Sequence, residues 1–356
     1  MGQKRLDYLD MVKGVGIILV VIGHSGYVSD HMLTWLVSFH MPLFFIVSGI
    51  LFAYKESEKT AFFPYLKRRF CGMMLPYFWF SLINIGIDSV RMHLHPETVG
   101  RELIHTEIRQ TLSLFGISVL WFLPTIFLGE LCLYAVVKHY ASWIRCIIGV
   151  VTAVLSAVGG YLSGTDAVTQ ESWTAYFLTA LLRVGSALTL LLLGHAIYFG
   201  LQKLSVKAVW EWALAAGCLV INIAAAYWNG RVDLHYLVFQ NVMLYYLGAC
   251  SGTLGMILIC KRISPLWLLT FLGKNSLIVM LTHLDCRVIN FAIRFADVTP
   301  MGGAVFFRIK LYLTLLIGEL LLIVLINRFG FFLIGGKRPV KMEAPGCLLI
   351  KRNKNG

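Results

Sequence analysis

Long apolar blocks alternate along this chain with short segments that carry basic side chains. Because the hydrocarbon core of a bilayer is about 30 Å thick, a helix needs about 20 apolar residues to cross it, and the blocks have this length. Residues 320–326 are apolar throughout and lack the two-residue alternation of membrane barrel strands. The pattern predicts ten transmembrane helices, with approximate ranges 11–28, 32–54, 70–90, 113–137, 143–163, 174–199, 209–229, 236–260, 265–284 and 309–327.

The composition agrees with this pattern and narrows the class of protein. Of the 356 residues, 58% are hydrophobic and 14% are charged, whereas soluble globular domains are about 25% charged. The polar stretches 91–112 and 285–308 are too short to form separate domains. We therefore predict an all-α polytopic membrane protein, with one membrane domain over residues 1–327 and a basic cytoplasmic tail over residues 328–356 that lies on anionic lipid.

The 31 Lys and Arg residues outnumber the 18 Asp and Glu residues, a balance that in a soluble chain is typical of nucleic-acid binding. Here the positive-inside rule of membrane proteins is the better explanation. If the N-terminus is cytoplasmic, the inner segments carry 20 of the basic residues and the outer segments carry eight. We therefore expect both termini in the cytoplasm and no nucleic-acid partner.

The first predicted helix carries three ionisable residues, Asp10, Lys13 and His24. Ionisable groups inside a membrane helix cost several kcal/mol, roughly 3 even on lenient scales, so each is a candidate functional group. At 100° per residue the three side chains fall on one stripe of the helix, with Lys13 and His24 separated by about 16 Å along the axis. The stripe connects the cytoplasmic side, near Lys13, with the outer side, near His24.

Two further histidines are predicted at a depth similar to that of His24. His40 lies on the outer half of the second predicted helix, and His283 lies near the outer end of the ninth. Histidine titrates near neutrality and can act as a general base or a nucleophile. Only His283 has other potential metal ligands close in sequence, Asp285 and Cys286, so we predict no metal site.

Other polar residues inside the apolar blocks are less decisive. Residues 273–276, which include Asn275 and Ser276, interrupt the ninth predicted helix and are candidates to line a cavity. Trp121 marks the outer half of the fourth predicted helix, where an aromatic belt and a substrate-facing role are both open. The remaining intramembrane polar residues are expected to be paired for structural reasons; they are Asp88, Glu130, Arg183, His195, Glu211 and Glu319.

Five segments of the chain together resemble the integral membrane acyltransferases of family three. They are LDMVKGVGIILVVIGH (9–24), FHMPLFFIVSG (39–49), KRRFCGMMLPYFWF (67–80), LWFLPTIFLGEL (120–131) and GKNSLIVMLTH (273–283). The resemblance covers nearly the whole chain. It implies a ten-helix domain that moves an acyl group, usually acetyl from cytoplasmic acetyl-CoA, onto sugar hydroxyls of surface or exported glycans, and a place in the bacterial inner membrane.

The first helix departs from the family pattern at one position. The family has an arginine ten residues before its histidine, whereas this chain has Lys13 eleven residues before His24. Lysine keeps the positive charge but lacks the planar fork with which arginine binds phosphate. In this respect the chain is similar to the branch that contains fucose and exopolysaccharide O-acetyltransferases, where lysine also occurs.

The resemblance and the helix stripe lead to one mechanistic hypothesis. The donor phosphates would bind Lys13, Arg68 and Arg69, and His24 would either deprotonate the acceptor hydroxyl or carry the acyl group itself. Acetyl-CoA is then the donor, no cofactor is permanently bound, and the other partners are membrane lipid and a glycan or lipid-linked saccharide. Residues assigned to acceptor binding, oxyanion stabilisation or support are Asp10, His40, Trp121, Asn275, Ser276 and His283.

Two other classes of protein compete with this hypothesis. Polar groups in the membrane and broken helices also occur in transporters, but the chain has no paired interruption in its two halves. Its polar residues join an inner basic cluster to an outer histidine cluster instead of gathering at one midplane site. A membrane sensor that has kept the fold and lost the chemistry is the third possibility, and His24 argues against it.

Overall fold

The computed structural model describes residues 6–94, 96, 100–163, 172–284, 286–298 and 303–336. Residues 337–356, most of the predicted basic tail, lie outside the described residues. The chain starts with α1 (Asp7–His24), α2 (Asp30–Val37) and α3 (His40–Tyr54). We call the side on which α1 begins inner and the side on which it ends outer, following the predicted orientation.

The predicted helix 32–54 is interrupted, which corrects the sequence-based assignment. The α2 helix ends at Val37 and α3 begins at His40, because Phe39 leaves the helical region with φ −145°. The amides of Ser38 and Phe39 bond to Trp35 and Leu36 by shorter turns, 3.3 Å each. The break gives His40 the first position of α3, on the outer half of the molecule.

The next membrane crossing starts earlier than predicted, at residue 62 instead of 70. It consists of α4 (Phe62–Arg69), a π-helical turn (Phe70–Met74) and α5 (Leu75–Leu94). Pro76 has no N–H and its ring clashes with the carbonyl four residues earlier, so the wider π turn allows the helix to continue through the proline.

The remaining helices confirm the all-α fold class. Eight helical stretches within the described residues are long and apolar enough to cross a membrane. Residues 233 and 238 form an isolated β-bridge, and the described residues contain no β-strand. The other helices are α6 (Arg101–Leu112), α7 (Phe122–His139), α8 (Ser142–Ser163), α9 (Trp173–Lys203), α10 (Ala208–Asn229), α11 (Val242–Arg262), α12 (Trp267–Lys274), α13 (Ser276–Thr282), α14 (Val288–Val298) and α15 (Ala304–Arg328).

Two predicted helices start later in the structure, which corrects the ranges 113–137 and 236–260. The α7 helix begins at Phe122, after a 3₁₀ turn (Ser118–Trp121), because Leu114 and Ser118 have positive φ values of 60° and 47°, outside the right-handed α region. The α11 helix begins at Val242 because Leu237, with φ 58°, belongs to an irregular outer loop. Both corrections leave non-helical chain on the outer side, where the candidate site lies.

The polar stretches 91–112 and 285–308, predicted as connections, contain the short helices α6 and α14. The α6 helix lies against α5: the hydroxyl of Tyr77 donates to the carbonyl oxygen of Thr111 at 2.8 Å. Glu107 and Thr111 are buried by this contact. The chain after α5 thus folds back over the outer ends of the helices.

Glycines allow two pairs of helices to touch through their backbones. A Cβ atom on Gly14 of α1 would lie 2.0 Å from a backbone oxygen of α12, and one on Gly273 of α12 would lie 1.7 Å from a backbone oxygen of α1. Gly49 and Gly194 play the same part between α3 and α9, with distances of 2.1 and 2.0 Å. Small residues permit such close approach of membrane helices. The α1 helix is therefore fixed against the α12 end of the broken ninth crossing.

Candidate active site

A cavity of about 350 Å³ lies on the outer side of the helices. His24, the last residue of α1, and His40, the first residue of α3, line it together. Trp121, which immediately precedes α7, also lines it, as do Gln110 of α6 and the loop residues 231–236 between α10 and α11. The non-helical outer segments thus meet the histidine-bearing helix ends around one space.

The structure places His283 directly beside His24. Their ring centroids are 5.3 Å apart and the ring planes are tilted by 44°. His24 is exposed to the cavity, whereas His283 is fully buried where α13 ends. The structure thus brings together two residues that are separated by most of the chain and that the sequence placed at a similar depth.

Hydrogen bonds to the backbone set the tautomers of His40 and His283. The Nδ1 atom of His283 lies 2.8 Å from the carbonyl oxygen of Val279, and Nδ1 of His40 lies 2.6 Å from that of Leu36. A carbonyl oxygen only accepts, so each Nδ1 carries the proton and Nε2 of the neutral ring keeps a lone pair. The buried Nε2 atom of His283 has no hydrogen-bond partner among the described residues. It is an acceptor next to His24.

Lys13 and Asp10 form an ion pair at the inner end of the same helix. The Nζ atom of Lys13 is 2.7 Å from a carboxylate oxygen of Asp10, which is 4% exposed. Asp10 therefore holds Lys13 in place at the inner end and does not reach His24. The stripe thus carries the Asp10–Lys13 ion pair toward the inner end of α1 and His24 at its outer end.

The predicted arginine pair is divided between two environments. The Nε atom of Arg69 lies 2.7 Å from a carboxylate oxygen of Glu130, a buried residue of α7. Arg68 is exposed, and its guanidinium lies 5.6 Å from the ring centroid of Tyr65. The charge of Arg69 is thus balanced inside the protein, while Arg68 remains accessible to an anion.

Lys55, which directly follows α3, joins this inner basic cluster and was missed by the sequence analysis. Desolvation, followed by the charges of Arg69, Arg68 and Lys13, lowers the pKa of the Lys55 ammonium. In the sequence, Lys55 was one of the basic residues of the predicted inner segments. The positive-inside rule accounts for all of these, so nothing marked Lys55 as a functional residue. We use the name inner cation cluster for Lys13, Lys55, Arg68 and Arg69.

The other predicted support residues lie away from the cavity. Asn275 separates α12 from α13: its Nδ2 atom donates to the carbonyl oxygen of Phe271 at 2.9 Å, and its Oδ1 atom accepts from Asn327 at 2.9 Å. Ser276 begins α13 and is half-buried. Within the described part of the chain neither residue lines the cavity. The interruption at 273–276 shapes the helix and joins it to α15.

Arg183 belongs to the wall behind the cavity. It is fully buried, donates to the carbonyl oxygen of Phe115 at 2.9 Å, and lies 4.6 and 5.3 Å from the ring centroids of Phe115 and Trp121. Trp121 stacks on His235 with a centroid distance of 5.3 Å and an interplanar angle of 7°. The sequence singled out Arg183 and Trp121 separately, and no local signal linked them to His235.

Several of the isolated intramembrane carboxylates are paired, as expected. The pairs are Asp88 with Arg91 and Arg287, Glu211 with Lys261 and Arg262, and Glu319 with Thr282.

The described residues contain no group of three His, Cys, Asp or Glu side chains that could hold a metal ion.

Comparison with known proteins agrees with this arrangement. A family model described as an acyltransferase domain matches residues 6–328. The chain belongs to this acyltransferase family. The match confirms the resemblance and the enzyme class, because it places the chain among membrane acyltransferases and not among transporters. Nodulation protein NolL of Sinorhizobium fredii is 30% identical over 173 residues, a stretch that spans 43% of this chain and 43% of that protein. No solved structure matches the chain.

Proposed function

We propose that this acyltransferase moves an acetyl group from cytoplasmic acetyl-CoA to a hydroxyl of a cell-surface or exported glycan, either free or lipid-linked, in the bacterial plasma membrane. One observation carries the proposal: α1 has Lys13 of the inner cation cluster near its inner end and His24 in the outer cavity at its outer end. A donor that is anionic at one end and reactive at the other fits this arrangement.

The inner cation cluster is the proposed binding site for the donor phosphates. Lys55 and Arg68 supply positive charge there, and Lys13 and Arg69 are paired with the buried Asp10 and Glu130. The ammonium of Lys13 has three protons, so it can donate to a phosphate as well as to Asp10. Charge-assisted hydrogen bonds to phosphate are about twice as strong as neutral ones. The uncharged pantetheine arm would follow α1 outward and present the thioester to His24, about 16 Å further along the helix axis.

His24 is the proposed catalytic residue because, of the outer helix histidines His24, His40 and His283, it is the one exposed to the cavity. In direct transfer, a ring nitrogen of His24 removes the acceptor hydroxyl proton, and the oxygen attacks the thioester carbonyl. The C–S bond then breaks, and the departing thiolate takes the proton from His24. In covalent transfer, His24 attacks the carbonyl, releases the thiol and passes the acetyl group to the hydroxyl. Either route uses a neutral His24 at the start.

His283 is the proposed positioning residue for His24. Its Nδ1–H is held by Val279, so its free Nε2 can accept a hydrogen bond from one ring nitrogen of His24. The other nitrogen of His24 then keeps its lone pair for the substrate. The pair thus has one base that faces the cavity and one buried group that sets its tautomer.

The proposal is tested by following radiolabelled acetyl from acetyl-CoA with purified protein. His24→Ala should reduce transfer by at least about 100-fold, the lower end of what a general base contributes. His31→Ala is the matched control, since His31 is an exposed histidine of α2 that does not line the cavity. Wild-type turnover in folded His24→Ala protein, or no consumption of acetyl-CoA by the wild-type protein, would contradict the proposal.

A further inference from the structure

The outer loop between α10 and α11 forms part of the wall of the active-site cavity. All six residues of 231–236 line the cavity, together with His24 and His40. We propose that this loop, supported by Trp121, is the subsite that binds a neutral pyranose ring of the acceptor. The proposal rests on the proposed function, because it assigns the acceptor side of the same reaction.

The loop has a fixed conformation although it is not helical. The backbone N–H groups of Asp233 and Val238 each donate to the other residue's carbonyl oxygen at 2.8 Å. One carboxylate oxygen of Asp233, Oδ1, accepts from the amides of His235 and Tyr236 at 2.8 and 3.3 Å. Both of these bonds use Oδ1, and Asp233 is an exposed residue of the cavity lining. A loop that is ordered before binding loses little entropy when a ligand arrives.

The wall behind the loop is equally fixed. Trp121 is stacked on His235, and the buried guanidinium of Arg183 lies 5.3 Å from the centroid of the Trp121 ring. Trp121 is only 7% exposed and still lines the cavity. These contacts hold Trp121 and His235 in place at the wall of the cavity.

The lining of the subsite suits hydroxyl groups. Asp233, Gln110, Ser118 and Tyr236 bring a carboxylate, an amide and two hydroxyls to one cavity. The Nε2 atom of His235 is buried without a partner among the described residues. Burial, followed by the charge of Arg183, holds the pKa of the His235 imidazole well below its usual range, so the ring is neutral and adds no charge to the subsite.

The charges of the subsite favour a neutral sugar over an acidic one. Arg231 and Asp233, which have opposite signs, are the Asp, Glu, Lys or Arg residues among those that line the cavity, whereas Arg183 lies behind the wall and is not in the lining. The cavity volume, about 350 Å³, lies at the lower end of the range for small-molecule sites, roughly 300 to 1,000 Å³. A single sugar ring close to His24 fits this volume and this charge balance better than a carboxylated sugar.

The test measures acetyl transfer from radiolabelled acetyl-CoA to neutral methyl hexopyranosides and to methyl glucuronopyranoside, with the purified full-length chain. Asp233→Asn keeps a carbonyl oxygen for the two loop amides and replaces the second, charged oxygen by a neutral NH2 group. It should raise the KM for neutral glycosides by about 10-fold, the effect of losing one hydrogen bond to a charged group. The KM for acetyl-CoA should not change. Val238→Thr, an exposed position of the same loop outside the cavity lining, is the control and should match the wild type.

Several results would overturn the subsite. They are an unchanged glycoside KM in Asp233→Asn, a preference for the glucuronide over every neutral glycoside, and no transfer to any neutral glycoside by protein that binds acetyl-CoA. An equal KM increase in Val238→Thr would show that the loop acts only through its conformation, which also contradicts the proposal. If the wild-type protein does not bind acetyl-CoA, the proposed function itself fails.

Discussion

The three outer histidines of the helices, His24, His40 and His283, differ in the hydrogen bonds that their ring nitrogens make with the backbone. His40 and His283 each give their Nδ1 proton to a carbonyl oxygen four residues earlier, at 2.6 and 2.8 Å. His24 lies at the end of its helix and is exposed to the cavity. Two of the rings are thus held rigidly, and the third is the one that can exchange a proton with a substrate.

Two substitutions of His283 separate its two hydrogen-bonding functions. Asparagine keeps a donor near the Nδ1 position for Val279 but has no acceptor at the Nε2 position. We expect His283→Asn to lower kcat by about 10- to 100-fold at an unchanged KM for acetyl-CoA. Glutamine places an amide oxygen near the Nε2 position, so His283→Gln should retain more activity. Steady-state kinetics of the two variants tests this, and equal losses in both would remove the positioning role.

Lys13 permits a second test at the scale of single residues. Lys13→Arg should retain donor binding, whereas Lys13→Gln should weaken it by roughly 1.5 to 3 kcal/mol, the range for a hydrogen bond to a charged group. Lys13→Gln also removes the ion-pair partner of the buried Asp10. The double variant Asp10→Asn/Lys13→Gln isolates that effect, since it has no carboxylate left to compensate. Restored acetyl-CoA affinity in the double variant, or equal affinity for Lys, Arg and Gln at position 13, would exclude a donor contact.

At the scale of elements, the contact between α1 and α12 determines where the stripe of α1 lies. Gly273 has no space for a Cβ atom, which would lie 1.7 Å from the carbonyl oxygen of Asp10. Gly273→Ala must therefore push the helices apart, and we expect it to destabilise the protein by about 1 to 3 kcal/mol. Gly217 of α10 has open space around it, so Gly217→Ala should be neutral or stabilising. Thermal unfolding in detergent compares the two, and equal Tm values would contradict the close packing.

The apolar pattern of the sequence predicted the membrane helices, but only some of the breaks within and before them. The interruption at 273–276 was visible because glycine and polar residues stand together there, and the structure breaks at Asn275. The break before His40 was not visible, since residues 32–54 contain no comparable polar run. The late start of α7 was not visible in the sequence either, because Leu114 and Ser118 adopt positive φ values that leucine and serine rarely have.

The candidate site was predictable only in part for a related reason. Helix geometry and alternating topology put His24, His40 and His283 at one depth. The loop 231–236 was predicted as little more than the connection between the helices 209–229 and 236–260, and its contact with Trp121 joins residues more than a hundred positions apart. Such a contact depends on the assembled fold, which no local pattern determines.

At the scale of the whole molecule, positive charge and histidine lie at opposite ends of the helices. The inner cation cluster and the outer cavity are joined by α1, and the predicted orientation places the former in the cytoplasm. Cysteines introduced at two exposed positions test this orientation: Asp30→Cys at the outer end of α2 and Lys207→Cys before α10. In intact cells a membrane-impermeant maleimide should label the first and not the second above the wild-type background. The reverse labelling would invert the orientation.

The central claim is that the acetyl group enters from the inner side and is transferred at His24 in the outer cavity. The most direct measurement uses proteoliposomes of known protein orientation, with radiolabelled acetyl-CoA supplied at the inner side of the protein and a saccharide acceptor enclosed at the outer side. The wild-type protein and His31→Ala should both deliver labelled acetyl-saccharide to the outer compartment, and His24→Ala should deliver none. Labelled product confined to the donor side, or delivery by His24→Ala equal to that by His31→Ala, would contradict the account.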